Sequence, residues 1–177
     1  MGKKIYKFGF IIIIILYVIF NVEFGGYYNT PEQAANHISL SDKTIKNIVE
    51  TVWVEDSPII FYVANSGEFC EVEFNKKNIF GMTGWEYRSI KFIETKEIKE
   101  NQVIPSKMAS GTKSDKKPQV LFGISRSPKA NKIKVNGEVP TFKNFEIEGQ
   151  EYVLWYITID QTNDWNVDDF KITADSK

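Results

Sequence analysis

The amino-acid sequence predicts a mainly β (α+β) fold. An antiparallel β-sandwich-like domain with a short N-terminal helix is expected after a hydrophobic transmembrane or signal helix. Three observations predict it. Residues 8–20 are an apolar run. After residue 50, short runs rich in β-branched and aromatic residues alternate with Asn, Gly and Ser turns. Two of the runs alternate apolar with polar residues, which is typical of strands with one solvated face.

The N-terminus has the order of an export segment. Lys3, Lys4 and Lys7 precede the apolar run at residues 8–20, as in Sec-type targeting segments. The lysines are expected to stay in the cytoplasm and the C-terminal part to lie outside. The run is shorter than the roughly 20 residues that span a bilayer, although apolar neighbours extend it to residues 5–24.

The chain therefore divides into a basic tip with a signal anchor, residues 1–29, and an extracytoplasmic β-rich domain, residues 30–177. Length alone does not separate an uncleaved anchor from a cleaved signal. No small-x-small pair stands near the expected cleavage point, which favours a single-pass membrane protein with its C-terminal domain extracellular. A cleaved signal would instead give a secreted protein.

Composition excludes several classes of function for residues 30–177. Removing residues 1–29 takes away three lysines and one glutamate, so the formal net charge falls from −1 to −3. A nucleic-acid partner is not expected, because binding phosphates needs concentrated Lys and Arg. The one cysteine, Cys70, cannot form an internal disulfide, and its strand-like surroundings predict that it is buried.

The first element of the domain is a short helix. Thr30 has the chemistry of an N-cap, Pro31 suits the first helical position, and Gln33 stands three residues after the cap. Residues 43–50 fit either a further helical turn or the start of a strand, and we place the change near Val49.

The remaining elements are strands. They are predicted at residues 52–54, 59–64, 68–74, 85–93, 120–125, 132–135, 145–148, 152–159 and 170–173. Asn136 and Gly137 are the strongest turn, because a type I′ turn needs positive φ at both positions, and they predict a hairpin between residues 132–135 and the chain after the turn. The alternation around Glu71 and Glu73 predicts that both face solvent.

Residues 106–118 lose all apolar periodicity and predict a flexible loop. The loop could divide the exported part into two subdomains or lie within one domain. One domain with two packed layers is favoured, because each half is small and lacks a disulfide.

Motifs for catalysis and metal binding are weak. The lone His37 has no positioned nucleophile near it, and one His with one Cys cannot complete a common zinc site. The acidic residues 160–169 lack the glycine and closing glutamate of a calcium loop. We therefore predict no catalytic residue, no metal and no cofactor.

Aromatic residues carry more information. Most are expected in the core, but exposed rings on a sheet can bind sugars or a partner's apolar surface. Four rings are predicted to be exposed and ligand-binding. They are Tyr62, Tyr87, Tyr156 and Trp165.

Several short segments resemble a known group of proteins. They are Thr30-Pro31-Glu32-Gln33-Ala34, Gly84-Trp85-Glu86, Leu121-Phe122-Gly123-Ile124 and the KIKVNG run at residues 132–137. Together they resemble short exported or membrane-anchored proteins of Gram-positive bacilli that are generally described as uncharacterised. The resemblance implies a bacterial cell surface and carries over no catalytic residue.

These observations predict a non-catalytic binding or interaction module of the cell envelope. Its expected partners are the membrane, through residues 5–24, and a cell-wall polymer or envelope protein. Two alternatives stay open: an envelope hydrolase that uses acidic residues, and a regulatory partner of another membrane protein. Two carboxylates converging in one pocket with raised pKa values would favour the hydrolase.

Overall fold

A computed structural model describes residues 12–14, 28–38, 44–79, 82–98, 103–108, 119–126, 132–159 and 170–174. The described part is mainly β, and every strand pairing in it is antiparallel, which confirms the predicted class. The elements are α1 (Pro31–Asn36), β1 (Ile45–Val54), β2 (Ser57–Ala64), β3 (Phe69–Ile79), β4 (Met82–Ile93), a 3₁₀ turn (Thr95–Glu97), β5 (Val103–Met108), β6 (Gln119–Ser125), β7 (Ile133–Val135), β8 (Thr141–Ile147), β9 (Gln150–Ile159) and β10 (Ile172–Ala174).

The first four strands form sheet A, a meander in the order β1-β2-β3-β4. Each strand pairs with the next in sequence, so the connections within the sheet are short turns. Gly67 lies in the turn between β2 and β3 at φ +81°, and a Cβ there would lie 3.1 Å from Glu148 Oε1. Glycine suits this position, because it adopts positive φ without a steric penalty and adds no side chain.

Sheet B has the order β5-β6-β9-β8. Glu148 and Gly149 join β8 to β9 at φ 52° and 79°, which is the backbone of a type I′ hairpin. The short strands β7 and β10 pair with each other in a separate two-stranded sheet.

One apolar core joins the two four-stranded sheets. Ile59 and Phe61 of β2 and Phe122 of β6 are fully buried in it. The other members come from β1, β2, β3, β6, β8, β9 and the chain after the 3₁₀ turn: Val49, Val52, Val54, Val63, Phe69, Ile98, Val120, Ile124, Phe145, Ile147, Tyr152 and Leu154. Segments on both sides of residues 109–118 therefore pack together.

Each sheet is also covered on its other face. Ala34 and Ala35 of α1 pack on sheet A in a cluster with Ile60, Tyr62 and Val72 among others. Strands β7 and β10 cover sheet B in the same way, around Trp155 and Ile133. Nearly every residue of the central strands β2 and β6 is buried as a result.

The structure confirms the predicted helix and corrects four details of the sequence interpretation. The Thr30 side chain accepts a hydrogen bond from Gln33 N at 3.2 Å, as expected of an N-cap. Strand β1 begins at Ile45 rather than near Val49, because its apolar residues pack on both faces of sheet A. Residues 106–108, predicted as loop, belong to β5, and residues 109–118 lie outside the described part.

The hairpin predicted at Asn136 and Gly137 is only partly right. Both residues have positive φ, 51° and 88°, but the return pairing is a single bridge between Val135 and Glu138. Strand β7 pairs with β10 instead. The fourth correction concerns Glu71 and Glu73, which are buried at 2% exposure rather than facing solvent.

The predicted membrane segment falls almost wholly outside the described residues. Residues 12–14 are helical and exposed. Among the helices that the structure describes, none has the length and apolar character to cross a bilayer. The anchor therefore stays a prediction.

Candidate functional site

Four aromatic residues are grouped where β1 ends and β4 begins; Tyr28, Trp53, Trp85 and Tyr87 are called the aromatic patch below. The rings of Trp53 and Trp85 meet edge to face, with centroids 5.6 Å apart and planes at 76°. Tyr28 forms an antiparallel bridge with Trp85. Tyr87 lies two residues beyond Trp85 on β4, so the two side chains share one face.

The patch combines a buried base with exposed rings. Trp85 is 8% exposed and belongs to the cluster beneath α1, whereas Trp53 is 53% and Tyr87 is 55% exposed. Edge-to-face packing against a buried ring fixes the position of Trp53. Large apolar side chains exposed next to one another mark interaction surfaces more often than isolated ones do.

Curvature of sheet A brings the patch together. Trp53 and Trp85 lie on β1 and β4, the two opposite edge strands of a four-stranded sheet, and their rings nevertheless touch. The hairpin of β3 and β4 continues well past the residues that pair with β2. A register shift between Glu73 and Phe74 marks the start of this extension, and such irregularities bend and twist a strand.

The N-terminal segment joins the domain at the same place. Trp85 N donates a hydrogen bond to the Tyr28 carbonyl oxygen at 3.0 Å. The Tyr28 ring stacks on His37 at the end of α1, with centroids 4.7 Å apart. Tyr28, the first residue of the domain that the structure describes, is therefore held beside Trp85 by both its backbone and the contact of its ring with α1.

One lysine lies on the face of the patch. Lys76 of β3 is the register partner of Trp85 and is exposed, so their side chains project from the same face of the hairpin. Lys77 and Glu86 form an ion pair at 3.4 Å on the reverse face. The patch thus combines exposed rings with a positive charge at its border.

A second group of polar residues lies between the sheets. Glu71 and Glu73 project from β3 into the core face that carries Phe69. Arg88 Nη1 lies 3.1 Å from Glu73 Oε1 and donates a hydrogen bond to it. Ser89 Oγ lies 3.4 Å from Glu73 Oε2. Glu73 is therefore a buried carboxylate with a cationic partner.

Glu71 has a different environment. Neither of its carboxyl oxygens has a hydrogen-bond partner among the described residues. Burial raises the pKa of Glu71 to about 8, while Lys91 on the neighbouring strand lowers it and Glu73 raises it further. The carboxyl is consequently mainly neutral at pH 7, which is how a core accommodates a carboxyl group whose oxygens have no hydrogen-bond partner.

The two carboxyl groups share one face of β3 but are closed to a substrate. Both residues are 2% exposed, so a glycan or peptide bond could not approach their oxygens in this conformation. General acid and base catalysis requires hydrogen-bonding distance between the side chain and the substrate. The pair is consequently a structural feature of the core in this conformation.

The four predicted ligand-binding rings are not brought together. The predicted exposure of Tyr62 is wrong, because it lies on the central strand β2, where α1 covers it and it is fully buried. Tyr87 is exposed in the aromatic patch, as predicted. Tyr156 is half-buried against the core, where its ring stacks on Phe61. Trp165 lies outside the described residues.

Tyr156 belongs to a small polar seam between β1 and β8. Lys143 Nζ lies 3.3 Å from Glu50 Oε2 across this seam. Burial, then the charge of Glu50, raises the pKa of the Tyr156 hydroxyl. The seam ties the edges of the two sheets together.

Sequence interpretation did not select Trp53 as a ligand-binding residue, although a signal was present. Val52 and Val54 are buried on β1, and a period of two places Trp53 on the opposite face. Tyr28 carried no such signal, since its place beside Trp85 depends on the long β3–β4 hairpin. Among the described residues, no three His, Cys, Asp or Glu side chains are grouped closely enough to hold a metal ion.

Comparisons with protein-family models, with curated proteins and with solved structures gave no match for this chain.

Proposed function

We propose that residues 30–177 form a non-catalytic binding module of a bacterial cell envelope, held at the outer face of the membrane by residues 5–24. The exposed rings of Trp53 and Tyr87 carry the proposal, because two large aromatic side chains exposed on one face of sheet A are costly without a partner. A wall polymer and an envelope protein are the two external ligands to test. We also propose the finer architecture, in which residues 30–177 form a β-sandwich that follows a transmembrane helix.

The location is tested by protease treatment of intact cells that express the full chain. The expected result is that protease removes the domain from outside, while a fragment that contains residues 5–24 stays with the membrane. A mature form that begins near residue 30 and accumulates in the medium would replace the anchored module with a secreted one. Protection of the whole chain in intact cells would reverse the proposed orientation.

Ligand binding is tested with the full chain in detergent micelles and insoluble cell-wall polymer. If the polymer binds the aromatic patch, W53A and Y87A reduce co-sedimentation at least fivefold relative to the wild type. V139A is the matched control, because Val139 is 65% exposed and directly follows the bridge between Glu138 and β7, the strand that covers sheet B on its face away from sheet A. Equal co-sedimentation of all four proteins would exclude the aromatic patch as the polymer-binding surface.

The hydrolase alternative depends on Glu71 and Glu73, the two carboxyl groups that share one face of β3. Their burial argues against it, although a raised pKa such as that of Glu71 is typical of catalytic acids. Purified wall polymer would be incubated with wild type, E71Q and E73Q, and new reducing ends counted. Release by wild type that both variants abolish would favour the hydrolase over the binding module.

The regulatory-partner alternative places the specificity in the membrane segment. Replacement of residues 8–20 by an unrelated anchor tests it, since a binding module needs the segment only for attachment. Unchanged polymer binding after the replacement supports the binding module. Loss of binding with the domain still folded and exported would favour a partner that recognises the segment.

A further inference from the structure

The aromatic patch lies at the point where the chain enters the domain. Residues 25–27 are the only ones between the proposed membrane segment, residues 5–24, and Tyr28. A fully extended chain of this length covers no more than about 14 Å from residue 24 to Tyr28. If residues 5–24 span a bilayer, Tyr28 must lie close to its surface.

Short contacts connect Tyr28 to the rest of the aromatic patch. Its carbonyl accepts a hydrogen bond from Trp85 N at 3.0 Å, and the Trp85 ring contacts the Trp53 ring. Tyr87 follows on the same face of β4. The two most exposed rings of the patch are therefore tied through short contacts to the residue that is nearest the membrane segment.

The composition of the patch suits the headgroup layer. Trp and Tyr are enriched at membrane–water interfaces, where the ring lies in the apolar boundary and the polar atom stays hydrated. Lysine can extend its aliphatic stem along such a surface and place its ammonium at the phosphates. Lys76, on the same face as Trp85 and exposed, has the position for this contact.

We infer that the partner of the aromatic patch is the lipid surface next to the anchor, so that Trp53 and Tyr87 insert at the headgroup level and orient the domain. This inference rests on the proposed function, because it needs residues 5–24 in the bilayer. It assigns the patch to lipid rather than to wall polymer. External ligands would then meet the faces that point away from the membrane.

The experiment uses the full chain reconstituted into phosphatidylcholine vesicles whose acyl chains carry bromine, which quenches nearby tryptophans. Flotation of the protein with the vesicles reports whether the anchor attaches the chain to the membrane. Quenching of tryptophan emission reports whether the aromatic patch contacts the lipid. We expect the wild type to float and to be quenched more than W53F, with stronger quenching when bromine is near the carbonyl end of the acyl chain than near its methyl end. The difference between the two proteins reports Trp53 alone.

A matched reporter separates docking from general proximity. In the W53F background, V139W places a tryptophan at an exposed position of the connection between β7 and β8, and this ring is expected to show under one fifth of the quenching of Trp53. K76E is expected to at least halve the quenching of Trp53 in vesicles that contain phosphatidylglycerol, with flotation unchanged.

Each of the following results would overturn the inference. Flotation with equal quenching of wild type and W53F would support the anchor and exclude docking of the aromatic patch on the lipid surface. Equal quenching of the V139W reporter and of Trp53 would mean that the domain tumbles near the bilayer without a preferred face. Failure of the chain to float would show that residues 5–24 do not anchor it, which would also overturn the proposed function. If W53F also loses wall-polymer binding while Trp53 is not quenched, the patch takes polymer instead.

Discussion

At the scale of single residues, the two glutamates on β3 differ in how the fold accommodates them. Glu73 keeps a cationic partner in Arg88, whereas Glu71 has no hydrogen-bond partner within the described structure. An ionised carboxylate without a partner is costly in a core. Glu71 is therefore stable there as the neutral acid, and its protonation should couple to folding.

The first prediction concerns E71Q. The pKa of Glu71 is about 8 in the folded chain, against 4.5 for a glutamate side chain in water, so the unfolded chain loses this proton at lower pH. Stability must then fall as pH rises from 4.5 to 8, by roughly 3 kcal/mol at pH 7. E71Q removes this fall and should exceed the wild type by a similar amount at pH 7.

The measurement is urea denaturation of both proteins in detergent micelles between pH 4 and pH 9. E146Q serves as control, since Glu146 is exposed on β8 and should follow the wild type throughout. Parallel stability curves for wild type and E71Q across this range would show that Glu71 is not protonated in the folded chain.

The second prediction concerns R88M. Removing the guanidinium leaves Glu73 buried without its cation, which should cost about 3 kcal/mol. S89A should cost under about 1 kcal/mol, because the Ser89 contact to Glu73 is long at 3.4 Å. Denaturation at pH 7 compares the two, and the double variant R88M/E73Q should recover part of the loss. Similar costs for R88M and S89A would mean that Arg88 does not pair with Glu73 in solution.

Residue-scale prediction from sequence failed at these glutamates for a clear reason. A strand that alternates Glu with Val has the same pattern whether the Glu face meets water or a second sheet. The burial of Glu71 and Glu73 depends on what covers β3, and that is a property of tertiary packing. The same reason explains Tyr62, because the sequence around it does not show that α1 lies over it.

At the scale of elements, most helices, turns and strands were predicted correctly because local chemistry determines them. The Thr30 cap, the Asn136–Gly137 turn and nearly all strand runs could be read from the sequence because each depends on a few neighbouring residues. Strand β5 was missed, since Pro105 and the polar residues around it resemble a loop. The partner of β7 was also wrong, because turn geometry does not determine which distant strand completes a sheet.

The third prediction belongs to α1. T30A removes the oxygen that accepts from Gln33 N and should cost about 1 kcal/mol. T30S keeps an oxygen in the same place and should stay within about half of that loss. Amide hydrogen exchange at Gln33 checks it directly, with faster exchange expected in T30A alone. Unchanged exchange in T30A would show that the cap does not stabilise this helix.

At the scale of the whole molecule, the shared core decides how the domain unfolds. Phe61 contacts the rings of Phe69 in its own sheet and Phe122 in the other, with centroids 6.0 Å and 4.9 Å away. Segments before and after residues 109–118 meet in this core. If one sheet unfolded alone, the apolar residues that the other sheet contributes to the core would be exposed to water. We therefore expect the two sheets to unfold together.

The fourth prediction tests this coupling with F61A. Deleting a buried ring should cost about 3–5 kcal/mol, and hydrogen exchange should rise together in β3 of sheet A and β9 of sheet B. V139A, at an exposed position, should change stability by less than about 0.5 kcal/mol. Faster exchange confined to sheet A would show that the two halves of the chain unfold independently.

The Cys70 thiol can report how often the layer of α1 and sheet A opens. Cys70 is fully buried on β3 beside Tyr62 and is the sole cysteine of the sequence. A thiol reagent reaches it only when α1 or a strand of sheet A moves aside. The rate at which a native sample becomes labelled would therefore count spontaneous openings of that layer, and the event could be timed in the unmodified chain.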